Sequence, residues 1–427
     1  MNQANQDIVG RGNKEGGALF RNWFGELTEQ AEQNNRVPYV FVMGSMNEIL
    51  KSFDFPVVFP EVNSLQTAIR KDSANLLNQA EDYGYSPDIC GYVKADLAMQ
   101  LNGGKHPMGT IPKPSMAVFT NACNTYIKWA EIWERLYGIP IFTFDVPGTR
   151  ADGTASQPGS EEFKAEQKYV KGQIKELIEL CEKVSGQKFD IDKFKEVLGY
   201  TNRMMDAWKK VMELNASMPA VFNALTDGTV FLGVANGFRG TKEGAEYFEN
   251  LLEEMMYKAA HHIGTLTEEE FRLIFIGVPC YPIFRKFNEF FTDWKGVFVH
   301  STYLWFASGG SNLGVQYDLD NPIDSLAEGI LIGVRDAMDS MFHQNNTVAK
   351  LLDPYSIDGV VFHPIKSCRT TSTGQADSRN WLSKNTGIPT LIMESDMMDE
   401  RVVTPAMMKN RADAFFEGLI TRKQNLK

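Results

Sequence analysis

The stretch MAVFTNACNTYIKWAEIWERLYGIPIFTFDV, residues 116–146, decides the fold. A β-rich apolar run, MAVFTN from 116, leads past Cys123 through a helical stretch. A Gly-Ile-Pro then introduces a second apolar run, IPIFTFDV from 139. Strand, helix and strand in that order make a parallel βα unit, since parallel neighbours need a crossover between them. The same order recurs near the C-terminus, where GVVFHPIKSC from 359 leads through a similar stretch to TGIPTLIMESD from 386. In both, a cysteine follows a buried strand where the next helix should begin. Ligands of open parallel sheets bind outside the carboxyl ends of the strands, so Cys123 and Cys368 both fall where chemistry is usually placed.

Working outward, YVFVMG from 39 and PVVFPE from 56 add strand-like runs before this unit, and FRLIFIG from 271 and GVFVHS from 296 add them before the second. Between the two, GTRADGTASQPGSEE from 148 has the composition of an exposed connection. From 161 to 265 strand signals nearly vanish. There Val170, Ile174, Leu177, Ile178, Cys181 and Val184 recur at helical spacing and stop at Gly186. The expected organisation is α/β: an N-terminal α/β domain over 1–160 with Cys90 and Cys123, a helical region over 161–265, and a C-terminal α/β domain over 266–427 with Cys368. A chain of 427 residues exceeds the range in which one core keeps growing.

Apolar residues make up 43% and charged residues 23%, the balance of a folded chain. The net charge of -11, with Lys and Arg scattered, argues against a nucleic-acid partner. No apolar run approaches the roughly 20 residues that span a bilayer, and the opening MNQANQDIVGRGNKEGG lacks the apolar core of a secretion signal. A cytoplasmic protein is expected, without a membrane partner.

Five widely spaced cysteines argue against a disulfide framework and leave metal, catalytic or buried thiols. Cys123 and Cys368 at strand-to-helix turns, and Cys90 in the turn-rich YGYSPDICGYVKAD, have surroundings that stabilise a thiolate. Without CxxC-type compactness two readings stand for each, metal ligand or small buried hydrophobe. Cys181 sits on the apolar face of its helix, and Cys280, after a strand in IGVPCYPIF, is a fourth candidate by position.

His363, five residues before Cys368, is the nearest candidate for proton donation, with a histidine packed beside a strand end as the alternative. Glu394 and Asp396 end the next strand and face the same cleft, or cap a helix, or pair with Arg401. Lys366 and Arg369 flank Cys368 as phosphate contacts or solvated charges. Ser45 and Glu48 in GSMNE spell a capping box, and Arg239 and Lys242 in FRGTKEG a phosphate contact or an ordinary turn.

Five stretches together carry a resemblance: NSLQTAIRKDSANLLNQAEDYGYSPDICGYVKAD from 63, FTNACNTYIKWAEIWERLYGIP from 119, FRGTKEGAEYF from 238, IKSCRTTSTGQ from 365 and GIPTLIMESDMMDERVVTPAMMKNRADAFFEG from 387. From Tyr39 to Leu419 the chain resembles the benzoyl-CoA reductase and 2-hydroxyacyl-CoA dehydratase family. The resemblance implies two Rossmann-like parallel-sheet domains with a helical middle region, and a [4Fe–4S] cluster bound in the cleft by Cys90, Cys123 and Cys368. Cys181 and Cys280 have no counterpart in it. Three cysteines would leave one iron position open or externally filled.

Within the family the chain looks most like the larger cluster-bearing subunit of the reductase branch. That implies reduction of the aromatic ring of an aryl-CoA thioester by single electrons, through a ketyl-type radical. Iron–sulfur potentials extend down to about -700 mV, the extreme such a reduction needs. The implied partners are a homologous cluster-bearing sister subunit, ATP-hydrolysing iron–sulfur activator subunits and ferredoxin upstream. The chain itself lacks a G-x-x-x-x-G-K-[ST] loop. A 2-hydroxyacyl-CoA dehydratase subunit is the second reading, and a non-catalytic electron-relay or structural subunit the third. The Thr-rich RTTSTGQ after Cys368 departs from the family pattern and points to a different acyl group, such as a substituted benzoyl thioester.

Overall fold

The computed structural model describes residues 8–42, 47–148, 155–307, 309–338 and 341–425. Gly138 and Gly387 end the helices Asn124–Tyr137 and Gln375–Thr386 in the left-handed region, at φ 63° and 66°. Glycine alone adopts that conformation without a side-chain penalty. Each Gly-Ile-Pro then turns the chain into a strand, so the repeated sequence motif is a repeated structural one.

The strands are β1 Val37–Val40, β2 Lys105–His106, β3 Gly109–Thr110, β4 Pro114–Thr120, β5 Ile141–Phe144, β6 Phe271–Gly277, β7 Gly296–Ser301, β8 Gly359–His363 and β9 Thr390–Ile392. One parallel sheet has the order β1-β4-β5, with Ala117 beside Ile141 and Val118 beside Phe142. A second parallel sheet has the order β7-β6-β8-β9. The antiparallel ribbon β2–β3 has no counterpart in the sequence expectation.

The run PVVFPE departs from its expected form. Only Val58 bridges to Tyr39, and Pro60 opens the helix Pro60–Ile69. Prolines at both ends remove ladder donors, and proline is pre-shaped for the first helical turn.

No described strand lies between β5 and β6. The helices Glu161–Ser185, Ile191–Leu214, Thr226–Gly237 and Lys242–Ala260 fill most of that span. The first starts at Ser160, whose hydroxyl accepts the Phe163 N–H at 3.1 Å, and stops at Gly186 with φ 73°. Its face of Val170, Ile174, Leu177 and Cys181 is fully buried, as the spacing predicts. No helix among the described residues is long and apolar enough to cross a membrane.

Two polar devices hold the elements that matter for function. In the helix Gly91–Leu101, buried Asp96 accepts the indole N–H groups of Trp129 and Trp133 at 2.7 and 2.8 Å. Burial pushes its carboxyl up to about 6, against the pull of those donors. This fixes the helix after Cys90 against the helix after Cys123. The second device ties the N-terminal half to the C-terminal half. Arg401 donates to both oxygens of Glu81, at 2.9 and 2.7 Å, Lys94 donates to the same carboxylate at 2.9 Å, and Ser73 donates to the Met398 carbonyl at 2.8 Å.

Candidate functional site

Cys90, Cys123 and Cys368 occupy equivalent local positions. Each is the residue immediately before a helix, preceding Gly91–Leu101, Asn124–Tyr137 and Arg369–Ser372. All three line one cavity of about 340 Å³ between the two parallel sheets. All three are half-buried, whereas Cys181 and Cys280 are fully buried and lie outside the lining. Burial pushes the Cys181 and Cys280 thiols up to about 12 and about 11, which leaves both as inert protonated side chains.

The close approach of the Cys90 turn to the Cys368 turn depends on Gly91. A Cβ there would lie 2.6 Å from the Met398 Cβ and 2.9 Å from its Cγ, with the Ser367 hydroxyl 3.5 Å away. Asp396 shapes the other side. It accepts the backbone N–H groups of Ser367 and Met398 at 2.8 Å and that of Asp399 at 3.0 Å, and so braces the loop that carries Cys368. Glu394 is exposed and lies 3.8 Å from Lys366, and neither acid lines the cavity. Arg401 pairs with Glu81 and Asp399, not with Asp396.

The cavity chemistry suits a cationic multi-iron group. Burial raises the Cys90 thiol above its ordinary range, and the neighbouring Cys368 and Cys123 charges raise it further. Burial also raises Cys123, against a contact of 3.6 Å to the Thr370 hydroxyl. The helix starts therefore do not stabilise the Cys90 and Cys123 thiolates as the sequence suggested, because burial outweighs them, and a group that took these sulfurs as thiolates would have to bring positive charge. Among the described residues no three His, Cys, Asp or Glu side chains come close enough to share a single ion. Three half-buried thiols lining one cavity are the type of donor set that an iron–sulfur group takes.

Glu61 is a functional candidate that the sequence reading missed. It follows Pro60 in the first turn of its helix, lines the cavity and is 8% exposed. It accepts the Val42 N–H at 2.7 Å and the Tyr126 hydroxyl at 2.6 Å. Burial pushes its carboxyl up to about 7, although both donors pull the other way. The available signal was a Pro-Glu closing a buried run at the same sheet end as Cys123. Tyr92, Tyr126, Trp129, Tyr303 and Phe306 supply aromatic wall around it.

His363 lies elsewhere. It is fully buried and outside the cavity lining, with Nδ1 2.6 Å from the Val278 carbonyl and Nε2 2.6 Å from the Ser395 hydroxyl. Burial pushes the ring down to about 4, so it is neutral, donates from Nδ1 and accepts at Nε2. The structure thus gives the expected proton donor a bracing contact between the ends of β6 and β9.

The two phosphate candidates are also accounted for. Arg239 is paired with buried Glu48 and with the Tyr317 hydroxyl at 3.2 Å, so the guanidinium is committed internally. Ser45 of the expected capping box lies outside the described residues. Lys242 is exposed and starts the helix that Thr241 caps.

Fold and site together define an α/β protein with a cysteine-lined cavity at the carboxyl ends of two parallel sheets. More particularly, the chain belongs to the 2-hydroxyglutaryl-CoA dehydratase, D-component family, whose model matches residues 44–419. It is 31% identical to a benzoyl-CoA reductase subunit of Thauera aromatica, over 92% of this chain and 91% of that one. It is 28% identical to the (R)-2-hydroxyisocaproyl-CoA dehydratase alpha subunit of Clostridioides difficile, over 88% of each. A further relative, the alpha subunit of the (R)-2-hydroxyglutaryl-CoA dehydratase of Acidaminococcus fermentans, is 25% identical over 87% of this chain and 89% of its own. Each of these relatives is named as a subunit of a larger enzyme.

Proposed function

We propose that this chain is the substrate-reducing subunit of a benzoyl-CoA reductase, with Cys90, Cys123 and Cys368 holding a [4Fe–4S] cluster in the shared cavity. The observation that carries the reading is the convergence of those three half-buried thiols, from two sheets, on one cavity walled by aromatic side chains. When bound, the cluster supplies single electrons at low potential. The chain's own residues do the rest.

The aromatic wall holds an apolar acyl group and keeps water from it. Glu61, protonated up to about pH 7, holds a proton for the reduced substrate, and the Tyr126 hydroxyl and Val42 N–H fix its carboxyl in place. The proton-donor role assigned to His363 from sequence passes to Glu61 in this reading. A homologous sister subunit, ATP-hydrolysing iron–sulfur activator subunits and ferredoxin upstream complete the system.

A 2-hydroxyacyl-CoA dehydratase is the second reading, favoured by the dehydratase subunits that match nearly the whole chain. Anaerobic co-purification with the partner subunits, followed by iron analysis and turnover of benzoyl-CoA with ATP and a strong reductant, decides between them. ATP consumed in proportion to a ring-reduced product supports the reductase. Water loss from a 2-hydroxyacyl-CoA with only catalytic ATP supports the dehydratase. Unchanged iron content in the Cys90→Ser, Cys123→Ser and Cys368→Ser variants would sink both.

A further inference from the structure

The cavity lining is of two kinds. Besides the aromatic side chains, the segment after Cys368 contributes Thr371, Gln375 and Ser378, and Asn345, 3% exposed, joins them from the helix Met341–Leu351. Gln375 is 4% exposed. Its side-chain nitrogen donates to the Thr371 carbonyl at 2.8 Å and to the His363 carbonyl at 3.5 Å. Two carbonyl acceptors around one end of the amide fix which atom is nitrogen and which is oxygen. Gly277, φ 123°, lets the His363 carbonyl approach, since a Cβ there would lie 2.5 Å from that oxygen and 3.4 Å from the Gln375 nitrogen.

The other end of that amide has no partner among the described residues. The Gln375 Oε1 and the Thr371 Oγ1 are both buried without a hydrogen bond. An unpaired buried polar atom is destabilising, and a site built to bond a substrate O–H discriminates strongly against the analogue that lacks it. Both residues line one substrate-sized cavity, so an amide oxygen that only accepts and a hydroxyl that accepts or donates stand unpartnered beside it.

We infer that Gln375, with Thr371, is a specificity-determining residue that selects an aryl-CoA thioester whose ring carries a hydrogen-bond donor, a phenolic hydroxyl, over the unsubstituted ring. The inference rests on the aryl-thioester reading of the cavity and names its substrate class. The same acceptors could instead meet an amide N–H of the pantetheine arm, which every CoA thioester shares, so the test separates the two sources.

Equilibrium binding to the anaerobically purified complex of benzoyl-CoA, 3-hydroxybenzoyl-CoA, 4-hydroxybenzoyl-CoA and free CoA is the measurement, with iron content recorded for every sample. At least one hydroxybenzoyl thioester should bind about tenfold or more tighter than benzoyl-CoA. Gln375→Met should bring that ratio close to one. Thr371→Val, isosteric and free of the helical carbonyl bond that Gln375 makes, should at least halve it and covers the case in which Gln375→Met fails to assemble. A native ratio within twofold overturns the inference. So does an unchanged ratio with both thioesters weakened equally, which assigns the contact to pantetheine. If no thioester binds to an iron-replete complex, the thioester reading itself falls, and the inference with it.

Discussion

Glu61 is held by three contacts with different consequences: an apolar surround that raises its carboxyl to about 7, and donors from Val42 and Tyr126 that hold its orientation. It therefore keeps its proton up to about neutrality and loses it as the pH rises through about 7. Turnover should fall on that limb, and Glu61→Gln should lower it by about 100-fold while abolishing the limb, with iron content and thioester affinity as controls. A pH–rate profile unchanged in Glu61→Gln would remove Glu61 from the proton path. Strand-to-helix turns marked Cys123 and Cys368 in the sequence, along with Cys280, and only the family resemblance selected the set with Cys90 that the structure brings to one cavity. The place of His363 was not legible, because the sequence puts it at a strand end without saying which face it takes. Successive strand residues point to opposite faces, and here Phe362 takes the cavity face while His363 takes the core.

Among the elements, the start of the helix Gly91–Leu101 bears the tightest packing at the site. Gly91→Val forces Met398 away from the Cys90 turn, where contacts of 2.6 and 2.9 Å leave no room. Overpacking of this kind costs about 1–3 kcal/mol, so a lower melting temperature and reduced iron retention are expected, whereas Gly172→Ala, in the interior of the helix Glu161–Ser185 with open space around it, should leave iron retention unchanged and raise the melting temperature slightly. The Glu81 carboxylate behaves differently. Hydrogen bonds from Arg401, then Lys94, hold it down to about 2, so its contribution is complete above its unfolded value near 4.5 and is lost as the pH falls toward 2. Arg401→Ala should raise the midpoint of acid unfolding, followed by circular dichroism. The alternation of strand and helix and both Gly-Ile-Pro stops were readable from residues. The run PVVFPE misled because its composition is that of a strand, while its bracketing prolines, which deny it a ladder, were given no weight.

For the molecule as a whole, one cavity takes two thiols from the side of the first sheet and one from the second, and the supports are unequal. The helices after Cys90 and Cys123 are locked through Asp96, while Cys368 precedes a helix of only four residues, Arg369–Ser372. Removing iron with a chelator should therefore increase amide exchange around residues 365–375 more than around 91–101. Equal change in both would mean that the protein supports the two segments equally and that the Asp96 contacts add nothing. The convergence could not be read from spacing, because the three cysteines meet only after both sheets and the contacts between them have formed. Trp129 gives that meeting point an optical consequence. Its indole lines the cavity and is held by Asp96, so its emission is a native reporter in fixed orientation. An iron–sulfur chromophore seated among the thiols absorbs across the indole emission band and would quench it by energy transfer. Loading and loss of the cluster could then be followed in the unlabelled protein, with Trp129→Phe setting the background from the remaining tryptophans.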